Sequence, residues 1–215
     1  MTTGPRRDVP GARDVPRQDR PAEPATVRAI IAANRGIYRV ARHWLAISNV
    51  LAAVFAVAPV LSPLLRTAGS DRAAGAIDVT FRYLCHQRDD RSFHLAGERM
   101  ACCHRCTAIY GGLFLLGLVF ALVRGQVAPL RLTVAALLLI PIVLDVVSQP
   151  ILDREGTMVL RVLTGGLFAL AVNWALLPRL DIGFDGIRRQ IETRFDRLVA
   201  AGRARPLTGV TGTAR

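Results

Sequence analysis

Residues 102–123 read CCHRCTAIYGGLFLLGLVFALV and combine the two features on which the fold and the site depend. The part from Cys106 to Val123 carries no charged residue, and a transmembrane helix needs about 20 mainly apolar residues. This part therefore predicts a membrane span. The first part holds Cys102, Cys103 and Cys106, three of the four cysteines of the chain. A group of cysteine thiols, which are soft metal ligands, thus lies at the N-terminal end of that span.

Three further segments have the length and composition of membrane spans, at residues 44–65, 132–152 and 156–177. We expect Pro59 and Pro63 to kink or end the first of them. A short polar turn joins the last two and predicts an antiparallel hairpin. The sequence thus predicts an all-α integral membrane protein. Four transmembrane helices would lie within residues 44–177, with an extramembrane Cys/His loop at residues 66–105.

The composition agrees with this fold. The 215 residues are 52% hydrophobic and the apolar residues fall in long runs, which a soluble core does not need. The net charge is +12, and all 28 basic residues are arginine. Most arginines lie outside the apolar runs, where the anionic headgroups of a lipid bilayer explain them. We therefore predict a bilayer, and no nucleic acid, as the partner of the basic segments.

The ends of the chain predict two basic flanking segments. Residues 1–25 are rich in Pro, Arg, Asp and Gly, which is typical of a disordered tail. Residues 26–43 predict an amphipathic helix in the membrane interface, because their arginines recur on one stripe. Residues 178–215 predict a basic amphipathic tail whose apolar face contains Phe184, Ile187, Ile191, Phe195 and Leu198.

The distribution of arginine predicts the orientation, since cytoplasmic segments carry an excess of basic residues. Four spans place both tails on one side. The tails and the loop at residues 124–131 hold nineteen arginines, whereas the Cys/His loop and the hairpin turn hold eight. We therefore predict a multi-pass protein of the cell membrane with both termini in the cytoplasm and the Cys/His loop outside.

The Cys/His segment predicts a metal site. Cys103 and Cys106 form a C-x-x-C, which presents two thiolates from one turn, and the distant Cys85 can close the loop. Zinc binds about four nitrogen or sulfur ligands in a tetrahedron. We predict zinc as the cofactor, with the fourth ligand open among His86, His94, His104 and Cys102.

Two other interpretations of the cysteines stay open. Thiols oxidise outside the cytoplasm, and four cysteines permit three disulfide connectivities. The C-x-x-C also has the form of a redox-active dithiol, in which His104 and Arg105 would lower a thiol pKa. In the simplest case a metal or a disulfide only holds the extramembrane loop at the bilayer surface.

Polar residues within the spans predict a second cluster. An ionised carboxylate in a span costs about 2.5–3.5 kcal/mol to insert, so it usually faces a partner or a cavity. Asp145 lies about one helical turn deeper than Arg161 of the next span, and we expect these two to form an ion pair. The pair either locks the hairpin or lines a polar pocket. The residues of that pocket would be Asp145, Gln149, Arg161, Thr164, Tyr110, Arg91 and Arg105.

These residues resemble those of a family of small, uncharacterised prokaryotic integral membrane proteins, known only as a domain of unknown function. The family signature is similar to C-H-Q-x-P-x-R-S-F, a glycine, and then C-x-R-C-x-G-I-Y-x-G. Asp89 stands where the family has proline, and Ala108 where it has glycine. The matching residues are Cys85, His86, Gln87, Arg91, Ser92, Phe93, Gly97, Cys103, Arg105, Cys106, Ile109, Tyr110 and Gly112.

The resemblance covers about residues 50–177 and extends to polar positions of the last two spans. The residues that resemble the family there are Asp145, Gln149, Arg161, Thr164 and Gly165, with Val146 in place of a glycine. The resemblance favours four residues as metal ligands, namely Cys85, His86, Cys103 and Cys106. It implies no reaction.

Three functions fit these observations. In the first, a metal or thiol site acts on a lipid-soluble or anionic small molecule. This covers a quinone-linked thiol–disulfide oxidoreductase as well as lipid-phosphate chemistry, in which Arg161, Arg91 and Arg105 would bind the anion. The second is a small transporter, which with four spans implies a homo-oligomer. The third is a scaffold whose metal orders the outer loop.

Overall fold

The computed structural model describes residues 25–153 and 155–202. This part of the chain forms five α-helices, a short 3-10 turn at Asp89–Arg91 and one two-stranded sheet. The predicted disordered tail, apart from Ala25, and residues 203–215 lie outside the described residues. The helices are α1 (Ala25–Thr67), α2 (Asp71–Arg82), α3 (His104–Leu122), α4 (Leu132–Ile151) and α5 (Met158–Ala200), and the strands are β1 (Ser92–Leu95) and β2 (Glu98–Cys103).

Four of these helices are long and apolar enough to cross a membrane: α1 from Arg28, α3, α4 and α5. The predicted all-α fold with four transmembrane helices is therefore confirmed. The chain divides into two compact units. The first unit ends at Ile37 and contributes the start of α1, and the second unit, from Tyr38, holds the remaining elements.

Helices α1 and α5 are both longer than a span, at 43 residues each. The segment expected as a separate amphipathic helix at residues 26–43 is helical and continues into the first span without a break. Pro59 and Pro63 are fully buried and do not end α1, which continues to Thr67. Of the two expected effects, an end of the helix at these prolines is therefore wrong, and a kink stays a prediction. A membrane helix tolerates proline where packed neighbours satisfy the freed carbonyl.

The transmembrane helices of the second unit alternate in direction along the chain. α5 packs against both α3 and α4. Small residues permit the contact with α3, since a Cβ atom on Gly112 would lie only 2.6 Å from the Cβ of Ala169. α1 meets α3 through its side chains, and the Asn49 amide donates to the Gly117 carbonyl over 3.2 Å.

At one end of these helices, here called the thiol end, α2 and the β-hairpin cover the C-terminal end of α1 and the N-terminal end of α3. The strands pair antiparallel, with Ser92 opposite Cys103 and Leu95 opposite Glu98. Ala96 and Gly97 turn the hairpin with φ of 54° and 83°, a left-handed conformation that glycine adopts without steric cost. β2 leads directly into α3, so the hairpin places Cys103 at the start of that helix.

At the opposite end, an aromatic cluster joins α1, α3 and α5. Trp44 is buried against Phe120 and Leu177, and its ring stacks on Phe184 with a centroid separation of 5.3 Å. The Tyr38 hydroxyl donates to Glu192 over 2.9 Å. The part of α5 beyond the span is thus held against the part of α1 that follows Ile37.

Candidate metal centre and intramembrane polar network

Three cysteine side chains converge at the thiol end. The sulfur atoms of Cys85, Cys103 and Cys106 all lie within 4.8 Å of one another, and these three residues are called the thiol cluster below. Cys85 follows the last turn of α2, where its amide donates to the Phe81 carbonyl over 2.9 Å. Cys103 is the N-cap residue of α3, and Cys106 lies in the first turn of that helix.

Hydrogen bonds to sulfur favour the thiolate form of Cys85. The backbone amide of Cys103 donates to Cys85 Sγ over 3.2 Å. The pKa of the Cys85 thiol lies far below its usual range, because the side chains of Cys102, Cys103 and Cys106 hydrogen-bond to it. The pKa of Cys102 is correspondingly raised, by its hydrogen bond to Cys85 and by burial. The cluster therefore concentrates negative charge on Cys85.

The surroundings of the thiol cluster are apolar and aromatic. Phe81, Ala101 and Cys102 are buried beside it, and Tyr110 packs against the same group. The ring of Tyr110 contacts those of Phe55 and Phe81. Tyr110, predicted one turn beyond Cys106, does lie next to the thiols, where it forms part of an apolar wall.

The four candidates for a fourth ligand occupy different surroundings. His86 follows Cys85 directly, but its side chain is exposed and lies outside the three-sulfur group. His94 is exposed and pairs with Asp89 over 3.1 Å, and His104 is buried with its ring against Phe93. Cys102 is fully buried and adjacent to Cys85, although its sulfur does not join the group.

Gln87 holds the loop that carries Cys85. Its backbone adopts a positive φ of 48°, which is uncommon for a residue other than glycine. Its side-chain amide donates to the carbonyls of Asp78, at 2.8 Å, and Ala101, at 2.9 Å. The Gln87 carbonyl accepts from Arg99 over 2.6 Å. One glutamine thus joins α2 to β2 immediately after the first thiol.

A chain of polar side chains links α3, α4 and α5 below the thiol cluster. Arg105 forms an ion pair with Asp145, and the amide of Gln149 donates to the same carboxylate over 3.1 Å. Arg161 donates to the Gln149 side-chain oxygen over 3.2 Å. These four residues, Arg105, Asp145, Gln149 and Arg161, are called the polar network below.

The expected Asp145–Arg161 ion pair was wrong. Arg105, from the middle of the C-x-x-C, pairs with the carboxylate instead, and Arg161 reaches it only through Gln149. Arg161 also donates to the Gly156 carbonyl over 3.0 Å. Arg105, which lies between Cys103 and Cys106, is therefore ion-paired with the buried carboxylate of Asp145 on α4.

Two other residues predicted for the pocket lie near the network and have different partners. Thr164 is 2% exposed, and its hydroxyl donates to the Leu160 carbonyl of its own helix. Arg91 lies at the surface of the thiol end and pairs with Glu155 over 2.9 Å. Of the predicted pocket residues, the network therefore contains only four.

A second buried carboxylate, Asp78, was not anticipated from the sequence. It accepts a hydrogen bond from Ser62 over 2.7 Å and forms an ion pair with Arg66, so it joins α2 to the end of α1. A signal was present, because Ala74, Asp78 and Phe81 recur at helical spacing and place the carboxylate on the buried face of α2.

Comparison with known proteins places the same residues in a family. The chain is 38% identical over 87 residues to an uncharacterized protein of Methanothermobacter thermautotrophicus, a match that covers 40% of this chain and 78% of that protein. It is 30% identical over 103 residues to an uncharacterized protein of Methanocaldococcus jannaschii, covering 46% of this chain and 65% of that protein. No solved structure matches the chain.

The matched region contains both clusters described above. The sequence model of the family described as "Predicted membrane protein (DUF2085)" matches residues 85–175, which begin at the first residue of the thiol cluster and include the whole polar network. Together with the similarity to the Methanothermobacter protein, this match shows that the chain belongs to the DUF2085 family of predicted membrane proteins.

Proposed function

We propose that this protein is a membrane metalloprotein that binds one zinc ion through Cys85, Cys103 and Cys106, directly above the polar network. The observation that carries the proposal is the convergence of three sulfur atoms from two separate chain segments within 4.8 Å. At a Zn–S distance of about 2.3 Å, the sulfurs of a tetrahedral site lie about 3.8 Å apart. The separations in the thiol cluster, all within 4.8 Å, are compatible with that distance.

The surroundings of the sulfurs support a metal more than a disulfide. A disulfide would join two of the three clustered thiols and leave the third buried beside it. A zinc ion uses all three as thiolates, and the Cys103 amide that donates to Cys85 Sγ is the kind of contact that orients a metal ligand. The free N–H groups at the start of α3 also favour negative charge at the thiol cluster as a whole.

For the fourth zinc ligand we propose two candidates, His86 and Cys102. His86 is the predicted ligand, and its exposed side chain would have to rotate toward its neighbour Cys85. Cys102 is the alternative, since it already hydrogen-bonds to Cys85. A fourth thiolate would give the closed set that is typical of structural zinc, whereas His86 or a water molecule would leave a site open to exchange.

We further propose that the thiol end faces the outside of the cell membrane and that both tails lie in the cytoplasm. The excess of arginine in the tails supports this orientation. The polar network beneath the metal then lies in the outer half of the membrane. It is well placed to contact a lipid-soluble or anionic small molecule.

A thiol–disulfide oxidoreductase is the second candidate, favoured by the half-buried pair Cys103 and Cys106 at the start of a helix. In that case the two thiols would form a disulfide and pass two electrons and two protons to a quinone. This function requires the cysteines to cycle and predicts no stably bound zinc.

Elemental analysis with thiol titration on the detergent-purified protein tests the proposal. We expect about one zinc per chain in the wild type and none in the Cys103→Ser/Cys106→Ser variant. Thiols that appear only after a reductant is added, in protein without metal, would reject the zinc site and favour the oxidoreductase. His86→Ala and Cys102→Ser, compared in the same assay, identify the fourth ligand.

A further inference from the structure

The polar network carries more positive than negative charge. It contains two guanidinium groups, those of Arg105 and Arg161, but only one carboxylate, that of Asp145. Asp145 is 3% exposed and Arg161 is 4% exposed. Among the described residues Arg161 forms no ion pair, and its hydrogen bonds go to neutral oxygens of Gln149 and Gly156. A buried cation of this kind is costly unless an anion compensates it.

Arg105 adds a second sign of a missing acceptor. Its Nε is buried and has no hydrogen-bond partner among the described residues. The guanidinium of Arg105 thus uses one edge on Asp145 and leaves a charged N–H group without an acceptor. Buried polar groups are almost always hydrogen-bonded, so this N–H group requires an explanation.

The arginines lie at the depth of lipid headgroups. α3 has 19 residues, which at 1.5 Å per residue gives about 28 Å, close to the hydrocarbon thickness of about 30 Å. Both ends of α3 therefore reach the membrane interfaces. Arg105 is the second residue of that helix and Arg161 the fourth residue of α5, so both lie where phosphate groups are abundant.

The surrounding potential is also positive. α3 and α5 both begin at the thiol end, and their unpaired N–H groups carry partial positive charge. Arg91 lies within electrostatic range of Arg161, although Glu155 partly neutralises it. Planar guanidinium groups bind phosphate oxygens with two parallel hydrogen bonds, which makes paired arginines suited to this anion.

We propose that Arg105 and Arg161 together bind a phosphate group, supplied either by a lipid headgroup or by free phosphate. The anion accepts from the unpaired Nε–H group of Arg105 and pairs with the positive charge that Asp145 leaves uncompensated. Asp145 and Gln149 then act as positioning residues that hold the two guanidinium groups apart. The proposal does not depend on a bound metal.

Calorimetric titration of the delipidated 215-residue protein in a maltoside detergent tests this site with two probes. Inorganic phosphate represents the free anion, and dihexanoyl phosphatidic acid represents the headgroup. We expect saturable binding that weakens at least about tenfold in Arg161→Gln, the loss of one charge-assisted contact. Asp145→Asn should bind more tightly than the wild type, because it raises the net charge of the network from one to two positive. If the carboxylate of Asp145 had only a structural role, Asp145→Asn would not bind the phosphate probes more tightly than the wild type does.

Arg179→Gln is the matched control, since Arg179 is a part-buried arginine in the middle of the same helix, about five turns from Arg161, and donates to the carbonyls of Ala175 and Leu130. Its affinity for both probes should equal that of the wild type. Binding of inorganic phosphate supports free phosphate as the source, and binding of the lipid alone supports a headgroup. Absence of saturable binding with either probe, or equal affinity in Arg161→Gln and the wild type, would overturn the proposal.

Zinc analysis of the protein as purified, without a chelator, run beside the same titration separates the two proposals. Protein that lacks zinc but binds phosphate supports the anion site and rejects the metal centre. Protein that contains zinc and binds neither probe does the reverse.

Discussion

Replacing Gly165 by alanine tests how closely α3 and α5 approach each other beside the thiol cluster. A Cβ atom at position 165 would lie 2.7 Å from the backbone oxygen of Arg105 and 3.0 Å from the Cβ of Ala108. Both atoms belong to α3, and the nearer one is backbone, so α3 itself must shift to make room. Gly166 provides a matched control, because no atom lies within 4 Å of a Cβ built there.

The two substitutions differ in packing but share the same change in helix propensity. Alanine in place of glycine stabilises a helix by about 0.8–1.0 kcal/mol. Overpacking a tight contact costs about 1–3 kcal/mol. Gly166→Ala should therefore be as stable as the wild type or slightly more stable. Gly165→Ala should be less stable than Gly166→Ala by about 1–3 kcal/mol, which is the packing cost alone.

Unfolding in mixed detergent micelles, followed by far-UV circular dichroism, measures this difference directly. Gly165→Ala should also alter the absorption of Co²⁺ bound to the thiol cluster, because Arg105 lies between Cys103 and Cys106 and its backbone must move. Gly166→Ala should leave that spectrum unchanged. Equal unfolding free energies for the two variants would refute the close approach of the helices.

Two further substitutions probe the cover of the thiol end. Asp78→Ala removes the buried carboxylate and its hydrogen bonds to Ser62 and Arg66. Because Arg66 is partly exposed and keeps an ion pair with Glu98, we expect a loss of about 1–3 kcal/mol in unfolding free energy. Asp71→Asn at the exposed start of α2 should change it by less than about 0.5 kcal/mol, and similar losses for both would contradict the buried ion pair. Gln87→Leu removes two hydrogen bonds that join α2 to β2 and hold the loop that carries Cys85. Iodoacetamide should therefore alkylate Cys85 faster in this variant than in the wild type. An unchanged alkylation rate would show that other contacts hold the loop.

The spans could be predicted from the sequence because their signal is local. About 20 apolar residues in a row favour the bilayer whatever the rest of the chain does, and three of the four predicted spans agree closely with α3, α4 and the first half of α5. The end of the first span was less predictable. Pro59 and Pro63 usually end a helix in water, but here both are buried, and α1 continues past them to Thr67.

The thiol cluster was predictable in part. The C-x-x-C and the distant Cys85 indicated a common site, and their sulfurs do converge. The β-hairpin that brings them together was not predicted, since its strands are only four and six residues long and the second has no alternation of polar and apolar residues. Its turn residues, Ala96 and Gly97, are a weak signal outside an alternating apolar pattern.

The partner of Asp145 could not be deduced by counting along the hairpin. That reasoning compared depths on α4 and α5 only, and it placed Arg161 opposite the carboxylate. Arg105 enters from a third helix, and its position depends on how α3 packs against α5 at Gly165. Contacts between helices that are distant in sequence carry no local signal, and a single sequence does not reveal them.

The length of α5 has a mechanical consequence. Its 43 residues form one continuous helix with a length of about 64 Å, which is roughly twice the thickness of the hydrocarbon core of a membrane. Near its first turn, α5 is joined to α4 by the hydrogen bond between Arg161 and Gln149. If α5 tilted by about 5° around this contact, its far end at Ala200 would move by about 5 Å. Any such rotation beside the thiols would therefore strain the stacking of Trp44 on Phe184 and the Tyr38–Glu192 hydrogen bond, which hold that part of α5 against α1.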